Sequence, residues 1–312
     1  MTYLKIIILN FLFCQFTFST VGQQIAESKI GLRSVDTNFS YVIKNPVYKY
    51  GSGPVITLDE AHYNLHTLTG LYHPFGRLLQ NDGYILEPGR ATFTSSNLAA
   101  TKILVIANAL PDTGEWKLPA KSAFTTGEIN DLHKWVSGGG SLFLIVDHMP
   151  FPGAASKLAL SFGFNFINAY ALRKDKKPEM FSRKLKNLTS NKITNGRNKS
   201  EQVDSIRIFG GSAFIAPPGA TIILKLDDSY NILLPAIASK FNDSTAVFSG
   251  LGLVNGAFMQ YGQGRIVVFG EAALFSAQLS GEQKSKMGMN NAFAKQNPQL
   301  LLNIIHWLDR KL

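Results

Sequence analysis

The chain has 312 residues, 45% of them apolar and 11% aromatic, which supports one large or two smaller cores and excludes extended disorder. Its formal net charge is +10. Its one cysteine, Cys14, lies in the N-terminal apolar run, so a processed chain has no disulfide, no thiolate metal site and no cysteine nucleophile.

Residues 1–22 read as an export signal. One positive charge in 1–5 precedes a mostly apolar run over 6–18, and Ser19-Thr20-Val21-Gly22 supplies small residues before Gln23. The run is shorter than the ~20 residues of a membrane span, which favours cleavage over anchoring. Phe13 stands where a lipoprotein signal wants a small residue before its cysteine. The expected location is periplasmic or extracellular, with no transmembrane segment left after cleavage.

Residues 23–53 form an irregular lead-in, and a single α/β domain is expected over 54–312. Residues 55–58 make a first strand that runs into Asp59-Glu60-Ala61-His62-Tyr63-Asn64-Leu65-His66. A helix is expected within 65–81, with its body after the Tyr72-His73-Pro74 turn, then a short strand at 84–86 closed by Pro88-Gly89. Residues 103–107 are a buried strand with Asn108 just past it. After a loop over 111–126, residues 128–136 form an amphipathic helix capped by Thr125 or Thr126, with Ile129, Leu132, Trp135 and Val136 inward. Gly138-Gly139-Gly140 stops it. Residues 142–146 are then wholly apolar, as in a central parallel strand covered on both faces. Asp147 and His148 follow at its carboxyl end.

Farther on, 154–162 fits a helix, 164–170 a short strand, and 171–202 a basic, Asn-rich and Ser-rich loop inserted in the domain. Ten basic and two acidic residues between Arg173 and Lys199 give that segment a local charge of +8. Nucleic-acid binding is disfavoured, since the run has no recognition motif and an exported chain rarely meets DNA. The run reads as a solvated insertion, with contact between 173–199 and an anionic surface left open. Strands at 205–209, 221–226, 232–237 and 245–249 suggest an antiparallel meander attached to the main sheet. Gly262-Gln263-Gly264 is a hairpin turn before a strand at 265–269, which ends at Glu271. A helix over 298–312 closes the chain, with Leu301, Ile304, Ile305 and Leu308 as its buried stripe and His306 structural.

In open α/β sheets, ligands bind beyond the carboxyl ends of the strands. Asp59, Asn108, Asp147 and Glu271 all fall at such ends, with His62, His66 and His148 nearby. Three carboxylates sharing a pocket repel unless a metal, a cationic ligand or a raised pKa relieves them. A divalent metal is therefore one candidate cofactor, with Asp59, His62, Asp147 and Glu271 as candidate ligands, although the spacing matches no established metal motif. A hydrolase can be drawn from Asp59, His62, Asp147, His148 and Glu271. In it Asp147 or Glu271 activates water, and His62 or His148 protonates the leaving group or orients the base. A paired-carboxylate glycosidase is the related form. Asn64, His66, Tyr72 and Asn108 are candidate substrate contacts. The structural alternative is that Asp147 and Glu271 cap helices or hold loops. No Gly-x-Ser-x-Gly elbow and no dinucleotide fingerprint is present. Two classes stay open: a hydrolase of a glycan-related or other small substrate, and a non-catalytic envelope or glycan-binding protein.

Several stretches together resemble the class I glutamine amidotransferase-like superfamily, near its trehalose-utilisation (ThuA-type) branch. They are Asp59-Glu60-Ala61-His62-Tyr63-Asn64; Leu78-Leu79 with Asp82-Gly83-Tyr84; Ile103-Leu104-Val105-Ile106-Ala107-Asn108; Leu132 and Trp135-Val136 with the Gly138 to Leu142 stretch; Tyr261 to Glu271; and Asn303 with Trp307-Leu308. The resemblance implies a flavodoxin-like, mostly parallel sheet with helices on both faces and an additional antiparallel strand region. In true amidotransferases a nucleophilic cysteine follows a central strand; here that strand ends at Asp147-His148. Glu271 occupies what looks like the place of the partner histidine. The resemblance therefore implies a repurposed pocket or a binding domain, not glutamine hydrolysis, and lends weight to sugar-related ligands.

Overall fold

Alternation along the apolar strands decides the layering. A computed structural model describes residues 32–312. The expected export signal over 1–22, Cys14 and the start of the lead-in lie outside the described residues.

In chain order the strands are β1 (Arg33–Val35), β2 (Val55–Asp59), β3 (Ile85–Gly89), β4 (Ile103–Ala107), β5 (Ser141–Ile145), β6 (Asn165–Ile167), β7 (Tyr170–Arg173), β8 (Glu179–Ser182) and β9 (Ser205–Ile208). They continue as β10 (Ala213–Ile215), β11 (Thr221–Lys225), β12 (Tyr230–Leu234), β13 (Ala246–Ser249), β14 (Val254–Tyr261), β15 (Gly264–Phe269), β16 (Ala277–Ser280) and β17 (Ser285–Gly288). The helices are α1 (His73–Asn81), α2 (Ser95–Leu98), α3 (Thr126–Ser137), α4 (Phe151–Ser161), α5 (Lys192–Asn195) and α6 (Asn297–Leu308).

The main sheet has nine strands, ordered β3-β2-β4-β5-β15-β14-β10-β6, with β11 also on β14. The neighbours from β3 to β15 are parallel. By order of appearance they stand 2-1-3-4-5, the flavodoxin-like arrangement, whose switch point lies between the first and third strands. Here that is the gap between β2 and β4. Beyond β15 the sheet turns antiparallel through β14, β10, β6 and β11.

Successive residues feed two cores. Val105, Phe143, Ile145, Val267 and Phe269 pack with α1 and α6 on one face. Leu104, Leu142, Leu144, Ile266 and Val268 pack with α3 and α4 on the other. β4 and β5 are buried along their whole length, as their unbroken apolar sequences require. α3 begins at the expected Thr125 cap, which forms a reciprocal capping box with Glu128. Leu132 and Val136 are buried, while Ile129 and Trp135 sit at the margin. α6 is buried on nearly every side, not along a single stripe.

Three expectations need correction. Residues 171–202 are no solvated loop: they hold part of β7, all of β8, and α5, and bury Phe181, Leu188 and Ile193 in the α6 core. Asn303 of α6 ties the segment down by donating from Nδ2 to the carbonyls of Ile193 and Glu201, each at 2.8 Å. Its basic side chains project outward and many find carboxylates: Arg173 with Asp175, Lys174 with Asp228, Arg183 with Asp204, and Arg197 with Glu201. The expected meander is distributed instead: β9 pairs with β8, β11 joins the main sheet, and β12 joins β7 and β13. The strand expected over 164–170 splits into β6 and β7, which enter different sheets. β14, the longest strand, escaped notice because Asn255 and Gly256 interrupt its apolar pattern. Gly256 is needed there, since a Cβ would sit 3.0 Å from the Phe269 ring. Pro88 lies within β3, at the sheet edge, where a missing donor is tolerated.

Candidate functional site

The strand ends hold two neighbouring clusters. The first fills the switch point and is centred on His62. Asp59, fully buried at the end of β2, accepts from His62 Nδ1 (2.9 Å), from Asn64 Nδ2 (3.0 Å) and from the Ala61 amide (3.2 Å). His62 Nε2 lies 2.8 Å from Glu128 Oε1, while Glu128 Oε2 accepts the Thr125 amide at 2.9 Å. Phe93 and Phe124 pack against the imidazole, with ring centroids 4.6 and 4.8 Å away. Burial on its own pushes the imidazole pKa down, but the Asp59 and Glu128 carboxylates outweigh it and hold it above its ordinary value. His62 thus has a carboxylate against each ring nitrogen, an arrangement that favours its charged form. It clasps the β2 end to the start of α3.

The second cluster spans the ends of β4, β5 and β15. Asn108, in left-handed backbone at φ 50°, accepts the Asp147 amide on Oδ1 at 2.8 Å. Its Nδ2 points at His66 Nδ1, 3.4 Å away, which leaves the imidazole proton on Nε2. Burial drives the His66 pKa down to about 3, so the ring is neutral, and it packs 4.4 Å from Tyr72. The Tyr72 hydroxyl donates to the Ala272 carbonyl at 3.0 Å. Asp147 accepts the His148 amide at 2.8 Å. Glu271, 1% exposed, accepts the Ala273 and Leu274 amides at 2.7 and 2.8 Å. It thereby caps the short 3-10 turn at Ala273–Phe275, as the structural alternative expected. Burial and the Asp147 charge nevertheless push its carboxyl well above the usual range, against the pull of those two amides.

Backbone forms the wall beside Glu271. Gly211, at φ 130°, comes so close that a Cβ there would lie 2.3 Å from the Gly270 carbonyl and 3.0 Å from Glu271 Cβ. Ser212 donates to the Val146 carbonyl at 2.9 Å, fastening β10 to the end of β5. On the other side of Asp147, His148 binds the Met149 carbonyl through Nδ1 (2.9 Å) and stacks on Tyr170 at 4.4 Å, with Phe241 edge-on to Tyr170.

The sequence candidates therefore divide. Asp59, His62 and Asn64 form one cluster; His66, Tyr72, Asn108, Asp147 and Glu271 form the other, with His148 flanking it. The four candidate metal ligands split between the clusters. Among the described residues no group of three or more His, Cys, Asp or Glu side chains is gathered as a metal ion requires. The donor set does not fit such an ion.

Two participants were missed. Glu128 was readable as the third residue after the Thr125 cap, but not as a partner of His62, 66 positions away. Glu179, one of two acids in the basic run, belongs to the surroundings of the second cluster. Burial pushes its pKa up to about 8, opposed by Arg173 and Arg207 and reinforced by Asp147.

No family model matches the sequence, and no curated protein is similar to it at a significant level. Among solved structures, the mmIFT52 N-terminal domain has a TM-score of 0.57 and 16% identity, covering 81% of this chain and 96% of that one. A cytoplasmic protein from Salmonella typhimurium has a TM-score of 0.47 and 13% identity, over 82% and 99% of the two chains. A ThuA-like protein from Bacteroides uniformis has a TM-score of 0.44 and 10% identity, over 84% and 94%. The chain shares its fold with the first of these, and its likeness to all three is distant.

Proposed function

We propose that this chain is an exported relative of the class I amidotransferase-like proteins that binds a hydroxyl-rich, glycan-related small molecule over the ends of β4, β5 and β15. In this reading it hydrolyses that ligand with Asp147 and Glu271. One observation carries the proposal: two buried carboxyls follow the ends of adjacent parallel strands, and burial, reinforced by the charge of Asp147, pushes the Glu271 carboxyl well above its usual range. Such a pair supplies a base and an acid together at neutral pH. Asp147 takes a proton from the attacking water, and Glu271 gives its proton to the leaving-group oxygen. His66 offers its Nε2–H to the substrate. The ring surface of His148, Tyr170 and Phe241 suits the apolar face of a sugar.

A second reading has its own support. Glu271 is held by two backbone amides, as a purely structural cap would be. The pocket would then bind without turnover. Oligosaccharides incubated with the purified protein and assayed for new reducing ends distinguish the two. Catalysis predicts product that falls by about a hundredfold in Asp147→Asn and in Glu271→Gln, the size of a general acid–base contribution. Binding without product in the wild type, unaltered in both variants, overturns it.

Export is tested by N-terminal sequencing of protein recovered from the cell envelope or medium, with Gln23 as the expected first residue. Among the described residues the exposed Lys176, Lys184, Lys186 and Lys192 form no ion pair, and they are the side chains we assign to contact with an anionic surface.

A further inference from the structure

A cavity of about 190 Å³ lies between residues 41–45 of the lead-in, the 197–201 turn and α6. Ser141, the first residue of β5, donates through Oγ to the Leu308 carbonyl at 2.8 Å, which places the end of α6 at the amino ends of the parallel strands. Asp147 and Glu271 follow the carboxyl ends, so the length of the strands separates this cavity from the strand-end clusters.

Among the polar residues that line the cavity, His306 is the most buried, at 1% exposure. Its Nε2 lies 2.5 Å from Asp82 Oδ2, and Asp82, fully buried, also accepts the Val47 amide on Oδ1 at 2.9 Å. Facing a carboxylate, Nε2 carries the ring hydrogen, and in that tautomer Nδ1 presents a lone pair. Nδ1 is buried and has no hydrogen-bond partner among the described residues. A buried acceptor left unpaired is unfavourable, and a ligand that brings a donor relieves it.

Positive charge lines the same cavity. Arg197 donates from Nε to Glu201 Oε1 at 2.9 Å, and from Nη2 to that oxygen at 2.6 Å and to the Asn45 carbonyl at 2.7 Å. These bonds fix the guanidinium and leave Nη1 without a hydrogen bond among the described residues. A fixed guanidinium suits an oxyanion, because little side-chain freedom is left to lose. Lys44, exposed at the cavity, forms no ion pair among the described residues. Glu201 is the one carboxylate in the lining, and both its oxygens accept from Arg197.

The geometry points to a binding site for hydrogen phosphate in this cavity, with its anionic oxygens received by Arg197 Nη1 and the Lys44 ammonium and its P–O–H group donating to His306 Nδ1. Phosphate is singled out among oxyanions because it carries both kinds of oxygen at pH 7. Sulfate has no hydrogen to give, and a phosphate monoester has largely lost its own at that pH. The volume equals the share of about six water molecules, which admits the ion with room to spare. The site rests on nothing in the strand-end pocket, and its loss would leave that proposal as it stands.

The test is calorimetric titration of the full chain at pH 7 with sodium phosphate, sodium sulfate and glycerol 3-phosphate, in the wild type, Lys44→Met and Lys286→Met. Phosphate is expected to bind at least about tenfold more tightly than sulfate, which leaves the buried His306 acceptor unpaired. Lys44→Met changes an exposed side chain and so spares the fold; it should weaken phosphate by about threefold, the size of an exposed charge pair. Lys286→Met, an exposed lysine on β17 outside the cavity lining, should leave phosphate binding unchanged. Sulfate binding as tight as phosphate in the wild type, a comparison that needs no variant, overturns the role of His306 and the proposal with it. Phosphate affinity unaltered in Lys44→Met places the ion elsewhere and overturns the site, as does no binding of phosphate at all. Tighter binding of glycerol 3-phosphate than of phosphate overturns the choice of the free ion and makes the cavity an ester site.

Discussion

Asp147 and Glu271 follow the carboxyl ends of neighbouring parallel strands. Ile145 of β5 pairs with Phe269 of β15 in parallel register, and each acid follows its partner by two residues. Parallel strands lie about 4.8 Å apart, and the Asp147 charge acts on the Glu271 carboxyl. Burial is the largest cause of the raised Glu271 pKa and the Asp147 charge adds to it, and the two together underlie the acid–base proposal.

Removing the Asp147 charge should therefore release Glu271. In Asp147→Asn the Glu271 titration midpoint should fall towards its ordinary value, followed by carboxyl-carbon NMR across pH. An unchanged midpoint would show that burial alone sets it.

Glu179 should make stability depend on pH. Its carboxyl rises from 4.5 to about 8 on folding, so the folded state holds a proton that the unfolded chain has lost between those values. Stability thus falls as pH rises from about 4.5 to about 8. Glu179→Gln should match the wild type near pH 4.5 and exceed it by roughly 4 kcal/mol at pH 8. Urea unfolding at the two pH values measures the difference.

His62 should show the opposite origin with the same direction. Its pKa is raised on folding, so its stabilisation is complete below the unfolded value of 6.5 and is lost as pH climbs through the folded value. His62→Gln should cost about 3–5 kcal/mol at pH 6, because Asp59 and Glu128 lose the cation between them. The gap in thermal midpoint between variant and wild type should narrow as pH rises.

The basic segment should behave as core. Phe181→Ala removes a fully buried ring and should cost about 3–5 kcal/mol in chemical unfolding. A solvated insertion would lose less than about 0.5 kcal/mol.

Much of the framework was legible along the chain. The apolar runs that became β2, β4, β5 and β15, the Thr125 cap and the polar residues after each strand all follow from short-range pattern. The basic segment misled, because ten charges conceal three core residues, and only α6 and its Asn303 show where the backbone lies. β14 was hidden for a related reason: Gly256 looks like a break until Phe269 is seen packing on it.

The sequence by itself determined an α/β chain with Asp59, Asn108, Asp147 and Glu271 at strand ends, since periodicity and burial are properties of neighbouring residues. Which of these meet was decided only in three dimensions. Register set Asp147 and Glu271 past neighbouring strand ends, and a capping glutamate 66 residues away claimed His62. Charges interact through space across strand pairings, and no local pattern encodes the partner.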